Sequence, residues 1–331
     1  MSATDFVLFA ADDNRPFGWK ALYSRWWTRL RARCAGPACP RDGKLWSSWV
    51  HRTAGVELEH RWYCSRGCLE AVLVSRVHAL LSGFQAEKPR AYRIPLGLLL
   101  VQRGVISSHQ LREALRHQRE TGQGRIGDWL RQTAQVSVAQ LTAALGQQWG
   151  CPVFPLEAQT ESAFWSDLIP LPLLESAAAV PAHASPGSGV LHIAFGERVD
   201  HTLLYAVEQM LQCRTFPCIA PASAVQIRLE RFRKLTSGNN ISFDTVRDPA
   251  EMTWTICNYV MQLQPLRIAL TRAASYIWVR FFRAGSTRDL LFRLSLDHHR
   301  TILERLSESV KALEPTADDR KGGVSDASLS L

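Results

Sequence analysis

One unit of sequence is written twice between Pro95 and Gln148, and no other feature restricts the fold of this 331-residue chain as tightly. The first copy reads P-L-G-L-L-L-V-Q-R-G-V-I-S-S-H-Q-L-R-E-A-L-R-H-Q, Pro95 to Gln118. The second reads R-I-G-D-W-L-R-Q-T-A-Q-V-S-V-A-Q-L-T-A-A-L-G-Q-Q, Arg125 to Gln148. Identities recur at a fixed offset of 30 residues, among them Gly97/Gly127, Leu100/Leu130, Ser107/Ser137, Gln110/Gln140, Leu111/Leu141, Ala114/Ala144, Leu115/Leu145 and Gln118/Gln148. Chance supplies about one or two matches in such a window, so the segment is an internal duplication. Two copies fall short of the roughly three that a solenoid needs. A pair facing one shared ligand fits better.

Each copy has the same local logic. A turn at Gly97 or Gly127 opens a short amphipathic helix, which breaks at Gly104 or Ala134. A second helix starts at Ser107 or Ser137 with Gln110 or Gln140 three residues on. In that capping box, hydroxyl and amide satisfy each other's free backbone N–H groups. Leu111/Leu115 and Leu141/Leu145 then share a helix face with the closing Gln118 or Gln148.

These residues resemble the MshEN domain, the N-terminal domain of type II secretion and type IV pilus assembly ATPases. Its motif, R-L-G-x-x-L-x-x-x-G-x-x-x-x-x-x-L-x-x-x-L-x-x-Q, occurs twice with a short spacer; here both copies keep the spacing, with Arg119 to Gly124 between them. The resemblance implies binding of cyclic di-GMP, one half of the dinucleotide per copy. It carries the ligand contacts to Arg93, Leu96, Gly97, Leu111, Leu115 and Gln118, and to Arg125, Ile126, Gly127, Asp128, Leu141, Leu145 and Gln148. The first copy has Pro95 at the motif's arginine, with Arg93 two residues upstream as its replacement. The second keeps Arg125 but has Ile126 for leucine and Ala134 for glycine. Arginine suits guanine because its planar fork stacks on the base and makes paired hydrogen bonds. The resemblance continues through L-I-P-L-P-L-L-E-S-A-A-A-V-P-A-H, a strand G-V-L-H-I-A-F-G-E, a helix from His201 to Cys213, a strand T-F-P-C-I-A-P and a helix from Ala222 to Lys234.

The front of the chain has another character. Residues 1 to 93 hold 15 Lys+Arg against 8 Asp+Glu and six of the eleven tryptophans, within a net charge of +9. Such a stretch suits an anionic partner: nucleic acid, a membrane surface or an acidic protein. Phe17 to Arg33 reads as a basic helix with Trp19, Leu22, Trp26 and Leu30 at helical spacing. Four of the eight cysteines then cluster as Cys34, Cys39, Cys64 and Cys68. Two close pairs of thiols are what a tetrahedral zinc site needs, and a segment this poor in aliphatics needs a staple. His51 and His60 are reserve ligands. The lead-in R-W-Y-C-S-R-G-C to a helix resembles treble-clef fingers of the TRASH and MYM type. The other cysteines, Cys151, Cys213, Cys218 and Cys257, read as core packing.

After the polar T-S-G-N-N, the chain reads as a helix from Ala250 to Gln262, strands at Leu266–Thr271, Tyr276–Arg283 and Leu290–Leu294, a helix from Asp297 to Leu313, and a polar tail. The pair His298–His299 reads as a solvated face, since adjacent helical residues diverge. No G-x-x-x-x-G-K-[ST] occurs, so P-loop ATP hydrolysis is excluded. No apolar run reaches the ~18 residues of a membrane span, and the start of the chain lacks a secretory signal's basic region. The expectation is a cytoplasmic, non-enzymatic α+β multidomain protein. Its parts are a basic helix (1–33), a zinc module (34–90), the tandem-repeat domain with its α/β companion half (91–235), a small α+β segment (236–313) and a tail (314–331). Cyclic di-GMP reception leads; a nucleotide-independent adaptor of secretion or pilus machinery, or a zinc-dependent nucleic-acid binder, are the alternatives.

Overall fold

The computed structural model describes residues 34–37, 39–40, 55–82, 93–156, 168–185, 188–235, 240–243, 248–283 and 286–294. The basic helix, His51, the helix from Asp297, His298–His299 and the tail lie outside the described residues. Among those described, the chain is mixed α and β with two sheets, and no helix is long and apolar enough to cross a membrane.

The repeat forms four helices: α2 (Leu96–Gln102) and α3 (Ser108–Thr121) from the first copy, α4 (Ile126–Thr133) and α5 (Val138–Trp149) from the second. Both capping boxes form. Ser107 and Ser137 accept from the N–H of Gln110 and Gln140 at 3.2 Å, and each glutamine side chain accepts in return at 2.8 and 2.9 Å. Gly122 and Gly150 stop α3 and α5 in the left-handed conformation that glycine adopts without penalty. Between the helices of each copy, Gly104 turns with φ +68; in the second, Ala134 keeps a negative φ and Gln135 takes the positive one. Helix α2 packs on α5 and α3 on α4, so each copy's first helix lies against the other's second. Leu100 and Leu130, equivalent in the duplication and both fully buried, occupy the middle of the shared core; each such burial is worth about 1.5–3 kcal/mol.

The companion half is α6 (Leu171–Ala177), β3 (Ala179–Ser185), β4 (Val190–Phe195), α7 (His201–Leu211), β5 (Arg214–Ile219) and α8 (Ala222–Leu235). Strand β4 is central, antiparallel to β3 and parallel to β5. The crossover from β4 to β5 is made by α7, whose first turn is capped by Asp200. Cys213 and Cys218 are buried in this core, as packing rather than as ligands.

The second sheet joins the two ends of the chain. Its order is β2-β1-β7-β8-β9-β6, with β1 (Val56–Leu58) and β2 (Arg61–Tyr63) from the cysteine-bearing segment. The remainder are β6 (Asn240–Phe243), β7 (Arg267–Ala273), β8 (Tyr276–Arg283) and β9 (Ser286–Arg293). Strand β1 runs parallel to β7, with Glu57 opposite Arg267 and Leu58 opposite Ile268. One face of the sheet, through Ile268, Leu270, Ile277, Val279, Phe281, Leu290 and Phe292, packs on α1 (Arg66–Ser82) and α9 (Pro249–Leu263) in a core shared with Cys64 and Cys68. The other face, through Ala273, Trp278 and Leu291, enters the core of the companion half. Two segments expected to be separate thus form one layer, and it also takes in β6, a four-residue strand that the polar linker concealed. The three strands read from sequence are β7, β8 and β9; β9 starts earlier than expected because its first residues are polar.

Candidate functional site

The two copies are locked by a reciprocal pair of hydrogen bonds. Gln118, closing the first copy, donates from Nε2 to the carbonyl of Gly124 at 3.0 Å. Gln148, closing the second, donates to the carbonyl of Ile94 at 2.8 Å. Gly124 and Ile94 are themselves 30 residues apart and each immediately precedes the first position of a copy. Each copy's last residue therefore holds the start of the other, which is the arrangement of a pseudo-two-fold pair.

Gly97 and Gly127 lie inside the first turns of α2 and α4 rather than in turns before them, beneath the leucines. A Cβ on Gly97 would stand 2.4 Å from Leu111 Cδ1, and one on Gly127 would stand 3.3 Å from Leu141 Cδ2. Gly97→Ala is expected to be the more destabilising of the pair, by about 1–3 kcal/mol from overpacking. At Gly127 the looser contact lets the helix propensity of alanine offset part of that cost. Thermal melts decide it: a lower Tm for Gly127→Ala than for Gly97→Ala contradicts this packing.

The remaining candidates divide by exposure. Arg93, Arg125 and Asp128 are exposed, while Leu96 and Ile126 are half-buried beside them. Leu111 is buried and Leu115 and Leu141 are half-buried against the repeat core; Leu145 packs instead on the companion core. These leucines shape the ground under the turns. Arg125 precedes α4 in an extended conformation, makes no side-chain cap, and forms an ion pair with Glu197, just beyond β4. Glu197 has no signal in the sequence that singles it out; only the fold brings it to the repeat. Arg93 is engaged differently. Its guanidinium carbon stands 3.4 Å from the centroid of the Trp149 ring at the end of α5. Trp129 donates to the carbonyl of Gln123 at 3.2 Å and stacks with His117 at 5.9 Å, bracing the turn before Arg125. Beside the second turn lies a groove of about 530 Å³ lined by Asp128, Arg131, Gln132, Gln135, Val136, Ser137 and Val138.

The four front cysteines converge. Their sulfurs all lie within 4.8 Å of one another, with Cys39–Cys64 at 3.6 Å and Cys64–Cys68 at 3.9 Å. Four thiolates around one zinc at Zn–S of ~2.3 Å stand about 3.8 Å apart, so the spacing fits. The N–H groups of Cys64 and Gly36 point at Cys34 Sγ, at 3.4 and 3.5 Å. Such donors favour a thiolate. Burial, then the neighbouring Cys39 and Cys34, push the Cys64 thiol up to about 12; a cation is what would keep it ionised at neutral pH. Gly36 passes so close that a Cβ there would meet Cys68 Cβ at 2.8 Å. Cys68 lies in the first turn of α1, whereas Cys64 precedes the helix rather than opening it. His60 stands apart, exposed in the β1–β2 turn beside Glu57.

No protein-family model and no curated protein matches the chain. Among solved structures it is similar to MshE with cdg, at 30% identity over 42% of this chain and 99% of that one, with a TM-score of 0.34. It is also similar to the N-terminal domain of XpsE, at 17% identity over 41% of this chain and 92% of that one, with a TM-score of 0.30.

Proposed function

We propose that the chain is a non-enzymatic receptor for cyclic di-GMP, with a structural zinc ion held by Cys34, Cys39, Cys64 and Cys68. The observation that carries the reading is the reciprocal pair of glutamine bonds. A cyclic dinucleotide has two equivalent halves, and a duplicated motif tied end to start offers two turns in matching positions to receive them.

The second turn has the chemistry of a guanine reader. The O6 and N7 atoms of guanine are acceptors that match the guanidinium fork of Arg125. The N1–H and N2 groups on the adjoining edge are donors, for which a carboxylate such as that of Glu197 is an acceptor. The two side chains pair with each other. Nothing in this arrangement is a nucleophile with its base, so the role is recognition. On the family resemblance, the receptor acts in the cytoplasm on a component of secretion or pilus assembly machinery. At the cysteines, zinc would fix the loop of Cys34 and Cys39 to the start of α1; all four positions are filled by protein, as in a closed structural site.

Calorimetry of the full chain with cyclic di-GMP tests the receptor claim. Binding is expected, and Arg125→Ala should weaken it about tenfold to a hundredfold, the equivalent of one charged hydrogen bond. A wild-type protein that takes up no ligand at high micromolar concentration refutes the claim. So does an Arg125→Ala protein that melts normally and binds as tightly as the parent.

A further inference from the structure

We propose that the two halves of this site read their bases unequally: the second selects guanine, and the first accepts any purine. The inference rests on the cyclic-dinucleotide reading and deepens it.

The backbone of the two glycine turns is the same while their chemistry differs. Positions 94, 95 and 98 are exposed, as are 124, 125 and 128, and the glycine at 97 or 127 is buried in both. The glutamine tie is made on both sides. Yet the exposed set is Ile94, Pro95 and Leu98 in the first half, against Gly124, Arg125 and Asp128 in the second. Ile94 and Leu98 are each 53% exposed, although neither offers water a polar group. Proline replaces the arginine and leucine replaces the acid, so none of the three side chains donates or accepts a hydrogen bond. What the first half does offer is flat surface. Arg93 lies over Trp149 at 3.4 Å, and the exposed apolar residues Pro95 and Leu98 follow it in the chain. Stacking on such a layer is base-tolerant, because every base has a π-face. Reading guanine against adenine takes hydrogen bonds to base edges; the second turn sets an arginine and a carboxylate side by side for this, Arg125 and Glu197, whereas the arginine of the first, Arg93, is laid against the Trp149 ring.

A mixed cyclic dinucleotide is the discriminating probe. Cyclic GMP–AMP can seat its guanine in the second half and its adenine on the first. Only one of its two orientations does so, which weakens binding by about twofold. Calorimetry on the full chain should therefore place cyclic GMP–AMP within about threefold of cyclic di-GMP, and cyclic di-AMP at least about tenfold weaker than either. Cyclic GMP–AMP weaker than cyclic di-GMP by tenfold or more overturns the unequal halves while leaving the site intact. Equal binding of all three overturns guanine selection by the second half. Failure of all three to bind overturns the underlying site reading instead. The double variant Pro95→Arg/Leu98→Asp rebuilds the second turn's side chains on the first. It should raise the preference for cyclic di-GMP over cyclic GMP–AMP by about fivefold or more; an unchanged ratio in a variant that still binds counts against the proposal.

Discussion

Cys68→Ser is expected to unfold the layer that joins both ends of the chain, rather than to release a detachable finger. Structural zinc in zinc-finger peptides contributes an apparent ~10–16 kcal/mol at neutral pH, as much as the whole stability of an ordinary domain, about 5–15 kcal/mol. Here the site is not insulated from the rest. Cys64 and Cys68 are buried in the same core as Met252, Ile256, Val260, Phe281 and Phe292, and β1 hydrogen-bonds to β7. Elemental analysis of protein purified without chelator should find about one zinc per chain, and none in Cys68→Ser. The variant's Tm should fall by more than about 10 °C, since a domain of this size loses roughly 2–4 °C per kcal/mol. Zinc-free wild-type protein, or a Cys68→Ser protein melting within about 2 °C of the parent, would sink the claim.

What the sequence made legible was whatever is decided within one turn of chain. The capping boxes at Ser107 and Ser137 are local, and they form as read. The glycine turns and the identities between copies gave the pseudo-two-fold pair, and the four cysteines their common site. The illegible features depend on partners far along the chain. Nothing near Val56–Leu58 signals a parallel partner at Arg267. Glu197 follows an ordinary strand, and only the docking of α5 on the companion half brings it to Arg125. Arg280 was the harder case. It alternates with Ile277, Val279 and Phe281 as a solvent-facing arginine would, but both faces of β8 are covered. The alternation distinguishes two cores instead of core and water.

That buried arginine supplies the second large effect: Asp289→Ala should cost about 3–5 kcal/mol, the penalty for stranding one member of a buried ion pair. Arg280 and Asp289 are 3% and 4% exposed. The guanidinium makes two bonds of 2.7 Å to the carboxylate and a third, at 3.0 Å, to the carbonyl of Leu168. Trp278 donates to the same carboxylate at 2.7 Å. Alanine at 289 leaves both a charge and an indole N–H without that acceptor. Replacing the pair together, as Arg280→Met/Asp289→Leu, should recover most of the loss, because well-packed apolar residues of similar volume are often as stable as a buried ion pair. Denaturant unfolding of the three proteins gives the comparison, and a single variant within about 1 kcal/mol of wild type defeats it. The pair lies at the seam between the cysteine-bearing layer and the half that carries Glu197, beside the bonds Thr271–Gln209 and Ala274–Thr202. An apolar seam tolerates sliding, whereas the bond from Arg280 to the Leu168 carbonyl crosses this one and favours a single docking. A double variant as stable as wild type would show that the ion pair serves the register of that seam rather than its strength.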